Sequence, residues 1–184
     1  MGKLSMGTGN PSFLLNGQTL RLPRLVEADP RGQHIPRTLT TRTKRLWQGS
    51  ENEVPACTLS PGLVEVLRNA RRAGRVVRGL ESAAARLANE DRGLGLADRH
   101  SGVPRGARVS RLLVMADDGA ERFYRQVETL LRRHGPRLLA LRLDVDAEAL
   151  GAVIFGPGSR ARLLMLDHKQ AVSAFLLALA ESSE

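Results

Sequence analysis

The sequence predicts an α/β chain in which a sheet is covered by helices on both faces, a three-layer α/β/α sandwich. Three observations carry this. From Leu63 onward, helix-period and strand-like apolar runs alternate strictly. The strand-like runs are nearly continuous in Leu, Val and Met, the pattern of strands buried on both faces. Glycine and proline fall between the runs rather than inside them.

The elements follow in order. Leu63, Val64, Val66, Leu67 and Ala70 set one face of a helix that starts after Ser60-Pro61, with Ser60 as N-cap, and stops at Gly74. Arg75 to Gly79 reads as a short strand, and Leu80 to about Asn89 as an alanine-rich helix. Residues 90–109, with Gly93, Gly95, Gly102, Pro104 and Gly106, read as an exposed loop insertion. Arg111 to Ala116 is a compact apolar strand, followed by a turn at Asp117-Asp118-Gly119. Phe123, Val127, Leu130 and Leu131 mark a helix that ends at His134-Gly135-Pro136. Leu138 to Leu143 is the third strand, Asp144 to Val153 a short helix, Ala161 to Leu166 the fourth strand, and Lys169 to Ala180 the closing helix. The expected body is thus residues 63–184, with five helices alternating with four strands.

Residues 1–62 look different. Pro11, Pro23, Pro30, Pro36, Pro55 and Pro61 break them up, and only Ser12 to Leu15 and Thr19 to Leu22 suggest extended pieces. We therefore expect a basic, irregular N-terminal extension that buries little core of its own. Residues 1–50 hold eight basic and two acidic side chains, and the first 26 hold no acid. That is the composition of a targeting segment, or of an arm held by nucleic acid.

Of 184 residues, 28 are Lys or Arg and 19 are Asp or Glu, so the formal charge is +9. A basic arm ahead of a more balanced body suits a protein that lies on a polyanion. No apolar run reaches the ~18 residues of a membrane span. The lone Cys57 rules out an internal disulfide, and the four scattered histidines show no metal-ligand spacing.

No sequence pattern makes a case for an enzyme. Asp167-His168 closes a strand, but adjacent residues need not face one site, and a helix-start Asp beside a surface His is the simpler reading. Asp117-Asp118 is expected to cap the helix that follows. Gly93-Leu94-Gly95 lacks the third glycine of a dinucleotide fingerprint, and Gly156 to Arg160 lacks the phosphate-loop lysine and precedes a strand.

The strongest signal outside the core is Arg68, Arg71, Arg72, Arg75 and Arg78, five arginines within eleven residues and no acid among them. On a helix Arg68, Arg71, Arg72 and Arg75 share a face leading to Gly79 and the next helix N-terminus, where free N–H groups suit phosphate. The plain alternative is a solvated basic face.

The run Leu67 to Gly79, followed by a helix and then by Arg111 to Asp118, resembles the kink-turn-binding ribosomal proteins. They share a helix, an Ala-Gly-basic step, a short strand, a glycine, a second helix and an apolar strand ending in acids; the remaining element order also matches 120–180. The resemblance covers about residues 63–180 apart from the insertion. It implies an α/β/α fold that grips bent RNA through the glycine, the first turn of the second helix and a late apolar loop. Gly79 matches the glycine. The contact positions that follow, typically Asn or Lys, Glu or Gln, and Lys, hold Glu81, Ser82 and Ala85 here, flanked by Arg78 and Arg86. The late loop falls near Ala152 to Gly156.

The expected function is that of a non-catalytic, RNA-binding structural protein of a ribosome, with a mitochondrial ribosome ahead of a cytoplasmic setting. It would dock on rRNA through Arg68, Arg71, Arg72, Arg75, Arg78, Gly79 and Arg86, and through Arg42, Lys44 and Arg45 of the arm. Its partners would be rRNA and neighbouring ribosomal proteins, with no cofactor, metal, membrane or small-molecule substrate. The alternative is a protein-interaction module on the same fold that has lost kink-turn binding. An RNA-modifying enzyme comes third, because the chain is expected to be too short for a further catalytic domain.

Overall fold

The computed structural model describes residues 12–101 and 108–182. β1 (Ser12–Leu15) and β2 (Gln18–Arg21) form an antiparallel hairpin closed by Asn16 and Gly17, both at positive φ. This is the Asn-Gly turn whose twist matches paired strands. Two short helices follow, α1 (Arg24–Ala28) and α2 (Ile35–Thr41), separated by a tight turn at Pro30–His34. β3 (Thr43–Arg45) then pairs antiparallel with β4 (Glu53–Cys57).

The alternating body comes next: α3 (Pro61–Arg72), β5 (Val76–Arg78), α4 (Leu80–Ser101), β6 (Arg111–Met115), α5 (Glu121–His134), β7 (Leu138–Leu143), α6 (Ala147–Phe155), β8 (Leu163–Leu166) and α7 (Lys169–Glu181). The main sheet runs β3-β4-β7-β6-β8-β5. β4, β7 and β6 are parallel, and β8 runs antiparallel between β6 and β5.

The core accounts for the continuous apolar strands. Leu112, Val114, Leu139, Leu141, Leu143, Leu164 and Leu166 face the layer made by α3, α6 and α7. The alternate residues Leu113, Met115, Leu138, Ala140, Leu163 and Met165 face α4 and α5 through Ala83, Leu87, Tyr124, Val127 and Leu130. Successive strand side chains point to opposite faces, and both faces are covered, so β6, β7 and β8 are apolar except at Arg111 and Arg142 near the strand ends. The α/β/α sandwich is thus the fold.

Three sequence expectations are corrected. The N-terminal segment is not an irregular arm: Leu22, Val26, Ile35 and Leu39 are fully buried in the same core as α3 and α7. It also supplies β3 and β4, so the main sheet has six strands instead of four. Finally, α4 continues through Gly93 and Gly95 to Ser101, so the first part of the expected 90–109 insertion is helical; residues 102–107 lie outside the described residues. A glycine costs a helix only about 1 kcal/mol against alanine. Contacts outweigh that here, because Arg137 reaches both Glu90 (3.0 Å) and Asp91 (2.7 Å), and Arg111 reaches Glu90 (3.0 Å).

Candidate nucleic-acid interface

The arginine cluster is built by the way α3 ends. Ser60 caps its start, accepting from the Leu63 N–H at 3.2 Å, and Pro61 occupies the first turn. At the other end Gly74 adopts φ +71°, its N–H reaching the Arg71 carbonyl (3.0 Å) while the Arg75 N–H reaches that of Ala70 (2.9 Å). This paired closure is a Schellman motif, and it demands a left-handed residue that glycine supplies without strain. It stops the helix at Arg72, so Arg75 sits in the turn beyond and does not continue the arginine face.

Arg68 and Arg71 cover the C-terminus of α6. The Val153 carbonyl would normally accept from residue 157, but Pro157 has no N–H to give. Arg68 Nε donates to that oxygen at 2.9 Å, and Arg71 Nη1 donates to the Ile154 carbonyl at 2.8 Å. The guanidinium of Arg71 also lies 4.8 Å from the centroid of the Phe155 ring, and that of Arg78, from β5, lies 4.4 Å from it. Arg78 donates in turn to the Arg160 carbonyl. Thus α3, β5 and the loop after α6 meet around one aromatic ring.

The acceptors decide the electrostatics. Carbonyl oxygens at a helix C-terminus orient a guanidinium without cancelling its charge. Arg68 and Arg71 each commit one N–H group of the five a guanidinium carries. Among the described residues, Arg68, Arg71, Arg75 and Arg78 form no ion pair, and Arg72 donates to Asn69 Oδ1 at 2.8 Å and lies 4.0 Å from the exposed Glu65.

Gly79 lies at the end of β5 with φ +93° and open space where a side chain would stand. Its N–H bonds to the Leu163 carbonyl at 3.0 Å, which places the start of α4 beside the start of β8. Arg160 and Arg162, both exposed and without ion-pair partners among the described residues, flank this point. Sequence reasoning missed them, since they precede a strand eighty residues from Arg78. The antiparallel register, in which Arg78 opposes Leu164, brings them together.

The remaining candidates lie elsewhere. Arg86 pairs with Asp167 near the opposite end of β8, so its charge is internally neutralised. Arg42 bonds to Asp144 at 2.8 Å, and Lys44 lies 3.2 Å from Asp117. Arg45 is exposed on β3. These three sit at the β3 edge, whereas Arg78 is on β5 at the opposite edge. Five strand spacings, about 24 Å, separate them. The structure therefore does not join Arg42, Lys44 and Arg45 to the α3 cluster in one surface.

The carboxylates at the sheet's end are also employed. Asp117 accepts from Arg142 Nε at 2.6 Å, and Asp118 accepts from the Ala147 N–H at 3.0 Å, at the start of α6. The expectation that this pair caps the following helix is corrected: α5 has Ala120 at its N-cap with no side-chain bond. No group of three potential ligands assembles a metal site among the described residues. His168 caps α7, its Nδ1 accepting from the Gln170 N–H at 3.1 Å, while Asp167 turns to Arg86. No helix of the described residues is long and apolar enough to cross a membrane.

No family model matches the chain, and no curated protein matches it. A solved structure described as that of a protein with unknown function from Bacillus halodurans C is similar at 19% identity and a TM-score of 0.43. It covers 66% of this chain and 99% of its own. Nothing about function follows from that likeness.

Proposed function

We propose that the protein is a non-catalytic RNA-binding protein of a ribosome, docking a sugar–phosphate strand on the surface made by α3, β5 and the loop after α6. The observation that carries this reading is the grouping of Arg71 and Arg78 around Phe155, with Arg68 beside them on the Val153 carbonyl. Carbonyl oxygens hold these guanidiniums in place, and among the described residues no carboxylate neutralises them. Preorientation lowers the side-chain entropy lost on binding, while the retained charge supplies affinity through counterion release. Arg160 and Arg162 extend the patch, and Gly79 leaves room for close approach to the α4 N-terminus. The resemblance to kink-turn-binding ribosomal proteins supports the same surface. The acid-free first 26 residues support a mitochondrial setting.

Glu81 favours a second reading. It is exposed in the first turn of α4, where an acid opposes an RNA acceptor. On that reading the face binds a protein segment of mixed charge, whose carboxylates meet the arginines and whose basic side chain meets Glu81. Fluorescence anisotropy with a structured rRNA fragment, against polyglutamate of matched charge, separates the two. Tighter binding to RNA supports the proposal. Equal or tighter binding to polyglutamate replaces it with the protein-interaction module.

A further inference from the structure

At the opposite edge of the sheet, a cavity of about 600 Å³ opens between α2, the end of β4 and the C-terminal turn of α7. Its lining includes His34, Arg37, Thr38, Thr41, Arg42 and Cys57. Among the described residues no carboxylate lines it. The Arg37 guanidinium has no partner among the described residues. Arg42 commits one nitrogen to Asp144 at 2.8 Å, and its side chain remains 54% exposed. The cavity wall is therefore cationic for reasons independent of the α3 cluster.

The hydroxyls refine the chemistry. Thr38 Oγ1 donates to the His34 carbonyl at 3.0 Å and Thr41 Oγ1 to that of Arg37 at 2.6 Å. With their protons committed, both hydroxyls face a ligand as acceptors. Burial pushes the Cys57 thiol up to about 11, so the floor is uncharged at neutral pH. A fitting ligand then carries an anionic head for two arginines and hydroxyl or amino donors for the threonines. Its volume falls in the usual small-molecule range, about 300–1,000 Å³.

We propose that this cavity binds a phosphate monoester bearing hydrogen-bond donors, of the size and chemistry of a mononucleotide. Arg37 and Arg42 hold the phosphate in charge-assisted bonds, and Thr38 and Thr41 accept from the sugar or base. Such a phosphate can belong to a free nucleotide or to the 5′ end of an RNA strand.

Isothermal titration of the full chain tests this with AMP, adenosine, and one hexaribonucleotide in 5′-phosphate and 5′-hydroxyl forms. AMP is expected to bind and adenosine not, with R37Q weakening AMP by about tenfold or more. R37Q breaks no side-chain hydrogen bond or ion pair among the described residues, so loss of fold does not confuse the result. R42Q adds a second check, because Asp144 keeps Lys44 at 3.9 Å. Binding of the 5′-phosphorylated hexamer alone identifies an RNA end as the source and supports the site. The R160A/R162A variant should retain AMP, which separates this cavity from the proposed RNA face. Equal binding of adenosine and AMP, undiminished binding by both glutamine variants, or no phosphate binding at millimolar concentration overturns the proposal.

Discussion

The sharpest test of the RNA face is the double substitution R160A/R162A. Neither side chain makes an ion pair among the described residues, and the Arg160 carbonyl that accepts from Arg78 survives truncation. Arg68 and Arg71 are poorer choices, since their loss exposes the α6 carbonyls they cover. Taking Arg68, Arg71, Arg78, Arg160 and Arg162 as phosphate contacts on a single strand, log affinity should fall against log salt with a slope of about −3.5. From 50 to 200 mM salt that is roughly a hundredfold loss of affinity. Removing two contacts reduces the slope to about −2.1 and the loss to roughly twentyfold. The assay is anisotropy with a labelled 5′-hydroxyl rRNA fragment at several KCl concentrations, with melting temperature as the control for folding. A variant slope equal to that of the parent refutes the assignment of these two arginines. A parental slope shallower than about −1 refutes the whole phosphate surface. R42A/K44A should leave the slope unchanged, because both side chains lie at the far edge of the sheet, about 24 Å from Arg78.

Three further outcomes bear on the fold. Leu39→Ala should lower unfolding free energy in urea by about 2–5 kcal/mol, since Leu39 is fully buried in the shared core; a cost below about 1 kcal/mol would show a detached N-terminal segment. Gly74→Ala should cost about 1–2 kcal/mol by the same measurement, all from forcing a left-handed backbone, because open space surrounds the glycine. Burial raises the Asp91 carboxyl, but hydrogen bonds from Arg137 and His134 outweigh it and hold the group below its usual 3.8. Its stabilising contribution is therefore present above that value and lost as pH falls through the depressed one. Asp91→Asn should lower the melting temperature at pH 6–7 and flatten the acid limb below pH 4; an unchanged acid limb would exclude Asp91 as a contributor.

The body from Leu63 to Ala180 was legible because its signals are local. Ser60-Pro61 and Gly74 delimit α3 by capping chemistry alone, and β6, β7 and β8 are nearly continuous in apolar residues because both faces are covered. The N-terminal third differs from the sequence expectation for a physical reason. Its elements are three to seven residues long, too short to show a period, and prolines interrupt them. Leu22, Val26, Ile35 and Leu39 reach the core from a connecting segment and from two helices of five and seven residues, too few to repeat an apolar face. Only the Asn16-Gly17 turn between Leu15 and Gln18 was a usable hairpin signal.

The candidate site divides in the same way. The density of arginine in α3 and the placement of Gly79 could be read directly along the chain. Which arginines act together could not, because that depends on partners far away in sequence. Pro157 leaves a carbonyl that Arg68 takes up, Phe155 gathers Arg71 and Arg78, and an antiparallel pairing delivers Arg160 and Arg162. The same packing sets Arg42 and Lys44 beside Asp144 and Asp117 and puts Arg86 against Asp167. The order of residues determined the layers and the sign of the charge, since backbone periodicity and composition act locally. Only the tertiary structure decided which charges remain available, since neutralisation falls off over a few ångströms and depends on which side chains the fold brings within that reach.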